Sequence, residues 1–257
     1  EHTLSINNLD DYKHFRSQLE GKQSVVIIGA GYIGCELASD LSSQGIQVSI
    51  IDRGIWPLNR AVPEAIGSVI QKEMSDKQAV DWHLGKTLKR VDAQAQQFKV
   101  LLESGEQLTA DLVVSAIGLQ ANTELAKLAS ANTALGIKVD SFSQTSVSNI
   151  YALGDCAEYQ EKLMPFIAPI TLAAKALAST LCEDAKPLKF PANAVPVKLS
   201  ACPTVICPST ENSGIWEVQG SGLDLEAHFL NEFGELTGFA LTGAAVTKKA
   251  GLLKICK

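Results

Sequence analysis

The chain has 257 residues, 46% of them hydrophobic, which is enough apolar material for one large or two medium domains. Its formal charge of −6 provides no basic field for nucleic acid. Apolar runs such as Val25–Ile28 are far shorter than the roughly 20 residues of a membrane-spanning helix. We therefore expect a globular protein whose partners include neither nucleic acid nor a membrane.

The N-terminal residues predict a polar helix. Leu9, Tyr12, Phe15 and Leu19 recur at helical spacing over residues 8–20, with Asn8 as cap and Gly21 as stop. The chain opens on Glu1-His2-Thr3 without an initiator Met, so we expect it to be a piece of a longer protein. No secretory leader is apparent, and six scattered cysteines favour a reducing cytoplasm over a disulfide framework.

Alternating strand and helix patterns follow. A strand over Ser24–Ile28, a helix to about Gln44 and a strand over Gln47–Asp52 form a predicted βαβ unit. The next predicted elements are a helix from Pro63 to about Asp76, a strand over Val80–Leu84, a hairpin of Phe98–Glu103 and Gln107–Thr109, and a strand over Leu112–Ile117. This pattern predicts an α/β fold with a parallel sheet.

The second half predicts more helices and a separate small sheet. We expect helices over Glu124–Ala129 and Ile170–Leu181, and a strand over Ile150–Asp155. Beyond the prolines that begin at Pro187, the pattern has mainly a period of two. The predicted strands there are Val195–Leu199, Thr204–Ile206, Ile215–Val218, Leu225–Phe229 and Leu236–Leu241, before a helix over Ala245–Ile255.

A glycine motif lies between the first predicted strand and its helix. The residues are Gly29, Ala30, Gly31, Tyr32, Ile33 and Gly34. The first glycine permits a tight turn, the second lets a diphosphate approach the backbone, and the third lets helix and strand pack closely. The N–H groups and positive dipole of the helix N-terminus favour phosphate there. The sequence therefore predicts a dinucleotide site.

Asp52 ends the second strand, where a carboxylate accepts hydrogen bonds from the adenosine ribose. A 2′-phosphate would meet that negative charge, so NAD is favoured over NADP. Arg53 beside it weakens this preference, because an arginine can pair with a 2′-phosphate. Glu36, on the first helical turn, has two open interpretations: a contact at the nicotinamide end of the site, or an acid that complements the helix dipole.

A second segment carries a family resemblance. Gln144-Thr145-Ser146, then Ile150–Asp155, then Pro165–Pro169 leading into an Ala-rich helix, resemble the second flavin-binding segment of the two-dinucleotide-domain flavoprotein reductases. The resemblance implies that Gly154 and Asp155 bind the FAD ribityl chain. It also implies that the helix N-terminus near Pro169 and Ile170 faces the flavin N1 and O2 edge.

Two further stretches extend the resemblance. Leu112–Gly118 is similar to the family's passage out of the NAD domain, with Ala116, Ile117 and Gly118 as backbone contacts, although the family usually has a threonine at 116 or 117. Leu199–Val205 and Phe239–Gly243 resemble the small C-terminal domain of rubredoxin reductases.

The resemblance implies a domain division and a fold. The predicted parts are a linker helix (1–22), a Rossmann-like NAD-binding domain with an inserted β-meander (23–143), a remnant of a FAD-binding domain (144–185), and a small α+β C-terminal domain (186–257). The N-terminal flavin half is expected to be missing, so this piece should bind NAD but hardly FAD.

The implied function is NADH-dependent electron transfer through FAD to an iron-sulfur carrier, and rubredoxin is the expected carrier. A ferredoxin reductase or an NADH oxidase of the same family is the alternative, and a non-catalytic NAD-binding module is the alternative of another class. The chemistry would belong to the cofactors, so no residue is predicted to act as nucleophile or general base.

Some cysteine, histidine and lysine residues could carry other chemistry. Cys202 and Cys207 have the spacing of a redox disulfide, but an odd offset on a strand puts their thiols on opposite faces, so we predict six free thiols. Cys35 and Cys182 are expected in the core. His83 and His228 each stand alone, which disfavours a metal site. The remaining candidate is the basic side of the last helix, a solvated face or a dock for an acidic carrier, formed by Lys248, Lys249, Lys254 and Lys257.

Overall fold

The computed structural model describes residues 2–182, 184–209 and 211–257. Glu1, with which the predicted linker segment begins, lies outside the described residues. The chain forms two compact units. One unit contains the described residues up to Gly118 together with those from Ala194 onward, and the other contains those between Leu119 and Asn193. The domain limits implied by the resemblance stay a prediction.

A five-stranded parallel sheet organises the first unit, in the order β1-β8-β2-β3-β4. Its strands are β1 (Leu4–Ser5), β2 (Ser24–Ile28), β3 (Gln47–Asp52), β4 (Asp81–Leu84) and β8 (Leu112–Ser115). The strands predicted at 24–28 and 47–52 are confirmed, and the predicted fold class with them. The last strand ends at Ser115 instead of Ile117, and the edge strand β1 was not predicted.

Helices cover one face of this sheet. They are α1 (Leu9–Leu19), α2 (Tyr32–Ser43) and α3 (Glu64–Gln78). The Asn8 side chain caps α1 by accepting from the N–H groups of Asp10 and Asp11, as predicted. The sequence predicted that α3 begins at Pro63. In the structure Pro63 is the N-cap, and the helix begins at Glu64.

The two faces of the parallel sheet belong to different hydrophobic cores, because successive side chains of a strand point to opposite sides. Val25, Ile27 and Ile50 pack with the helices and with buried residues of the C-terminal sheet. Val26 and Ile51 pack instead with the predicted β-meander. The meander consists of β5 (Leu88–Gln94), β6 (Gln97–Leu102) and β7 (Gln107–Ala110), joined antiparallel.

A second five-stranded sheet completes the first unit, in the order β12-β13-β16-β15-β14. Its antiparallel strands are β12 (Val195–Val197), β13 (Thr204–Cys207), β14 (Ile215–Ser221), β15 (Asp224–Leu230) and β16 (Leu236–Thr242). The predicted last helix begins later than expected: a 3-10 helix occupies Gly243–Lys248, and α6 covers Lys249–Ile255.

The other unit is smaller and contains α4 (Glu124–Leu128), α5 (Ile167–Leu181) and a sheet ordered β11-β10-β9. The strands are β9 (Ile137–Val139), β10 (Ala157–Tyr159) and β11 (Lys162–Leu163). The strand predicted at 150–155 is wrong. Tyr151 forms only an isolated bridge to Gln144, and Gly154–Cys156 is a 3-10 turn.

Backbone conformation explains that correction. Asn149 has φ 63° and Gly154 has φ 84°, so left-handed residues lie on both sides of the apolar run and prevent it from pairing as an extended strand.

In the described part of the chain, no helix has the length and hydropathy needed to cross a membrane.

Candidate functional site

The glycine turn has the close contacts that its spacing predicted. Gly29 has φ 110°, and a Cβ atom there would lie 2.6 Å from the Ala116 carbonyl oxygen. A Cβ atom at Gly34 would lie 1.9 Å from the Gly29 carbonyl oxygen. At Gly31, in contrast, an added Cβ would meet nothing within 4 Å. Gly29 and Gly34 are therefore required by packing, whereas Gly31 faces open space.

The N-terminus of α2 lies directly after that open space. Gly31 is its N-cap and has no side chain with which to cap the helix. The first-turn N–H groups of a helix lack intrahelical acceptors and carry a partial positive charge. The Tyr32 side chain packs against the core, and burial, followed by the charge of Cys207, raises the pKa of its phenol. Anion binding here would therefore use backbone atoms.

Asp52 lies at the same edge and contacts the glycine turn. Its Oδ2 accepts a hydrogen bond of 2.7 Å from the Ala30 N–H, and its Oδ1 accepts one of 2.6 Å from the Gly54 N–H. A carboxylate offers about four acceptor positions, so two remain for a ligand. Because the carboxylate is only half-buried, those positions can reach a ribose hydroxyl.

Two residues that support this loop were missed by the sequence analysis. Leu58 is buried with φ 58°, and its N–H donates a 2.8 Å hydrogen bond to the Ala30 carbonyl. At Gly54, an added Cβ atom would lie 2.5 Å from the exposed Asn59 side chain, which would have to move to make room for it. No motif marks these residues, since their partners are set by the folded loop.

The remaining predicted nucleotide contacts line the same sheet edge. Arg53 is exposed directly after β3. The Ala116 N–H donates a 2.7 Å hydrogen bond to the Ile28 carbonyl, which extends the pairing of β2 and β8 by one residue. Ile117 is 76% exposed, and Gly118 has φ 131°. The structure thus brings the predicted residues from 29 to 34, 52 to 53 and 116 to 118 to one edge.

Glu36 has a structural contact. Its Oε1 accepts a 2.9 Å hydrogen bond from the Lys198 N–H, which lies just after β12. Ser39, one helical turn later, is hydrogen-bonded to Ser200 through side chain and backbone. These hydrogen bonds therefore attach α2, which packs on the parallel sheet, to the C-terminal sheet.

In the smaller unit, the two predicted flavin segments contact each other. The 3-10 turn that holds Gly154 and the exposed Asp155 lies against α5. This helix begins at Ile167, three residues before the predicted start, so Pro169 and Ile170 lie in its first turn. An added Cβ at Gly154 would meet nothing within 4 Å, but φ 84° favours glycine.

Several predictions about other side chains need correction. His83 does not stand alone: Nδ1 lies 2.7 Å from Glu106 Oε1 and Nε2 lies 2.9 Å from Asp81 Oδ2. His228 Nε2 lies 2.7 Å from Glu226 Oε1. Among the described residues, no group of three or more His, Cys, Asp or Glu side chains is arranged to hold a metal.

None of the six cysteines forms a disulfide in the structure. Cys35 is buried, but Cys182 is exposed, which corrects its predicted place in the core. Cys202 and Cys207 are both buried, although Cys202 lies before β13 and not on it. Burial is the main cause that raises the pKa of Cys35 and of Cys202.

The predicted basic face is partly neutralised. Lys248 forms an ion pair with Glu226, and Lys257 forms one with Glu235. Lys249 is half-buried and Lys254 is exposed, and neither forms an ion pair with another described residue. Lys254 is therefore the clearest candidate for a charge available to a partner.

Residues 1–178 match the family model described as pyridine nucleotide-disulphide oxidoreductase. The chain belongs to the pyridine nucleotide-disulphide oxidoreductase family. Residues 187–256 match a second model, described as the rubredoxin binding C-terminal domain. These matches confirm the family resemblance that the glycine motif and the Gly154-Asp155 segment indicated.

Individual members of the family are similar over nearly the whole chain. A rubredoxin-NAD(+) reductase of Alcanivorax borkumensis is 41% identical over 98% of this chain and 66% of its own length. The corresponding protein of Acinetobacter baylyi is 39% identical over 95% of this chain and 63% of its own. The chain therefore spans slightly less than two thirds of these relatives.

A solved structure is also similar. The ferredoxin reductase for the CYP199A2 system of Rhodopseudomonas palustris has a TM-score of 0.85 and 28% identity, covering 96% of this chain and 63% of that one. This likeness supports the predicted fold of a two-dinucleotide-domain reductase.

Proposed function

We propose that this chain is the part of an NADH-dependent flavoprotein reductase that binds the pyridine nucleotide and the electron acceptor. The whole protein would pass electrons from NADH through FAD to an iron-sulfur carrier, with rubredoxin as that carrier. The observation that carries the proposal is the Asp52 carboxylate, which joins the glycine turn at Ala30 to the loop at Gly54. The reducing cytoplasm would be its compartment, in keeping with six free thiols.

The NADH diphosphate would lie in front of Gly31, against the N-terminus of α2. Its negative charge would be stabilised by backbone N–H groups and by the positive end of the helix dipole. Asp52 would accept hydrogen bonds from the ribose hydroxyls with its two remaining acceptor positions. A 2′-phosphate would be repelled by the same carboxylate, so the proposal includes a preference for NADH over NADPH.

FAD would be held in part by the smaller unit. Asp155 would accept a hydrogen bond from a ribityl hydroxyl, and Gly154 would let the backbone approach it. The N-terminus of α5, at Ile167–Ile170, would stabilise negative charge on the flavin by roughly 0.3–1 kcal/mol. When bound, FAD supplies the conversion between two-electron donors and one-electron acceptors.

The C-terminal sheet and α6 would receive the carrier. Support comes from the rubredoxin binding match over residues 187–256 and from the two rubredoxin-NAD(+) reductases. One structural neighbour is a ferredoxin reductase, so ferredoxin is the alternative acceptor. In either case the carrier is a small iron-sulfur protein.

A single substitution tests nucleotide binding. Gly31→Asp should fold normally, because φ −78° suits any residue and an added Cβ meets no atom within 4 Å. Its carboxylate would occupy the place of the diphosphate, so NADH affinity, measured by calorimetric titration, should fall at least roughly 100-fold, about 2.7 kcal/mol. Gly251→Asp is the control, since Gly251 also has open space around it but lies on α6. Unchanged NADH binding by Gly31→Asp contradicts the proposed site.

Electron transfer is tested separately, in a protein that contains this chain and binds FAD. NADH should bleach the flavin absorbance, and added rubredoxin should be reduced at a rate that exceeds ferredoxin reduction. Faster ferredoxin reduction would favour the alternative acceptor. NADH binding without reduction of either carrier would favour the non-catalytic module.

A further inference from the structure

The segment after β4 adds a cation to the ribose end of the proposed nucleotide site. Leu84, the last residue of β4, pairs with Asp52 in the parallel sheet. Gly85 then turns the chain with φ 66°, and its N–H donates a 2.8 Å hydrogen bond to the Gly54 carbonyl. The Lys86 N–H donates one of 2.9 Å to the Asp52 carbonyl. The backbone of Lys86 therefore lies directly beside the residue that is proposed to bind the ribose.

A carboxylate of the β-meander pairs with the charge of Lys86. Lys86 Nζ lies 3.5 Å from Glu106 Oε2, and the two side chains are 39% and 36% exposed. Arg53 is a second exposed cation at this edge. An ion pair that water reaches is weak enough to exchange partners. Glu106 and a bound anion would therefore compete for the Lys86 ammonium group.

Other contacts fix Glu106 in this position. Its Oε1 lies 2.7 Å from Nδ1 of His83, whose side chain is only 11% exposed. Its carbonyl accepts a 2.9 Å hydrogen bond from the Leu102 N–H across the turn between β6 and β7. In the same turn, the Glu103 N–H donates a 2.9 Å hydrogen bond to the Thr87 carbonyl. The turn is thereby attached to the segment after β4, so the carboxylate stays beside the ammonium group.

The 2′-phosphate of NADPH is the ligand group that these charges would affect most. A phosphate monoester carries about −1.5 to −2 charges at pH 7. Asp52 would repel this phosphate directly, whereas a free lysine ammonium on its flexible stem would attract it. NADH has only hydroxyl groups on that ribose. The availability of Lys86 should therefore change the affinity for NADPH much more than the affinity for NADH.

We propose that Glu106 is a second determinant of nucleotide specificity, which disfavours NADPH because it keeps the Lys86 ammonium group from a 2′-phosphate. Glu106 acts through Lys86, so it is a positioning residue and does not need to touch the nucleotide. This inference rests on the proposed function, because it places the ribose at Asp52.

Titration of the 257-residue chain with NADH and with NADPH tests this role. In Glu106→Gln, the amide keeps a side-chain oxygen near His83 but lacks the charge that pairs with Lys86. At about 20 mM salt, NADPH affinity should rise roughly 3-fold to 10-fold, while NADH affinity stays within roughly twofold. At about 0.5 M salt the gain should largely disappear, because the exposed charges are then screened.

A double variant shows whether the gain depends on Lys86. Lys86→Met combined with Glu106→Gln should return NADPH affinity to within roughly twofold of the unsubstituted chain. Asp92→Asn is the matched control, because it removes a carboxylate from the same meander, where Asp92 pairs with Arg90. It should change neither affinity. If the glutamine variant folds poorly, Glu106→Ser takes its place, since serine suits a turn.

The outcomes separate the role of Glu106 from the nucleotide site itself. If the unsubstituted chain binds neither nucleotide, the proposed function fails, and this inference fails with it. If NADH binds but Glu106→Gln gains no NADPH affinity, or keeps its gain in the double variant, only the role of Glu106 is overturned. An equal gain in Asp92→Asn also overturns it, because the effect would then be one of net charge alone.

Discussion

The carboxylate of Asp52 accepts a 2.7 Å hydrogen bond from the backbone N–H of Ala30. A residue at the end of β3 therefore fixes the middle of the glycine turn, which lies after β2. The same carboxylate is the proposed acceptor for the ribose hydroxyls of NADH. Its two tasks are compatible, because each oxygen has one further acceptor position.

Asp52→Asn should weaken NADH binding and reduce the preference over NADPH. An amide has one acceptor oxygen and no charge, so NADH affinity should fall roughly 10-fold to 100-fold, or about 1.5–3 kcal/mol. NADPH affinity should fall less, because its 2′-phosphate no longer meets a negative charge. Fluorescence titration with both nucleotides measures the ratio.

The matched control is Asp40→Asn, which removes the same charge from an exposed position on α2. It should leave both affinities unchanged. A protein without this substitution that already prefers NADPH contradicts the assignment of Asp52.

Two variants of Glu36 distinguish a structural role of this residue from a contact with the nicotinamide. Glu36→Ala removes the acceptor of the Lys198 N–H, and we expect the free energy of unfolding to fall by about 0.5–1.5 kcal/mol. Glu36→Gln keeps an acceptor oxygen and should be nearly as stable as the native protein. Both variants should bind NADH within roughly twofold of the native affinity, which is less than about 0.5 kcal/mol. A larger loss in the glutamine variant, without unfolding, would instead support a nucleotide contact.

Asp111 provides a prediction about acid stability. It accepts hydrogen bonds from Gln97 Nε2 and from the N–H groups of Gln23 and Ser24, at 2.8–3.0 Å. The hydrogen bond from Gln97, followed by that from Gln23, lowers the pKa of Asp111 to about 2, against an opposing effect of burial. A lowered folded-state pKa stabilises the protein above the unfolded value of 3.8.

This stabilisation should be lost as the pH falls from about 4 through about 2. Asp111→Ala should reduce the free energy of unfolding at pH 7 by about 1–2 kcal/mol, because two backbone donors at the start of β2 lose their acceptor. Urea unfolding at several pH values measures both effects. The difference between native and Asp111→Ala stabilities should shrink toward pH 2, and a constant difference would contradict this role.

The sequence predicted the elements whose burial is periodic and local. Strands β2 and β3 have the predicted bounds, because mainly apolar segments of strand length between glycines leave few alternatives. The two-residue strand β1 has no periodicity to detect. The apolar run over Ile150–Leu153 has the composition of a strand, but the left-handed residues Asn149 and Gly154 exclude one.

Part of the candidate site, like part of the fold, was predicted from the sequence. The glycine turn and Asp52 were predicted, because their spacing follows from the geometry of one βαβ unit. The hydrogen bond from Leu58 to Ala30 and the contacts of Asp111 were not predicted, since each depends on atoms that only tertiary structure brings together. For the same reason, the sequence alone left two interpretations of Glu36 open.

The basic face of α6 leads to a prediction about docking. Lys248 is paired with buried Glu226, whose pKa is raised by burial but lowered overall by hydrogen bonds from Lys248 and His228. Reversing the charge of Lys248 would therefore disturb the C-terminal sheet itself. Lys254 is exposed and has no such partner among the described residues, so Lys254→Glu changes the surface charge without that effect.

If an acidic carrier docks on this face, carrier reduction by the flavin-containing protein should slow as salt rises, because exposed charges more than about 8 Å apart are screened at physiological ionic strength. Flavin reduction by NADH, measured by stopped flow, should stay nearly constant, because it takes place inside the protein. Lys254→Glu at low salt should reproduce the slowing, while Lys13→Glu on α1 should not. If the rate of carrier reduction changes neither with salt nor in Lys254→Glu, the basic face is solvated surface and the carrier docks elsewhere.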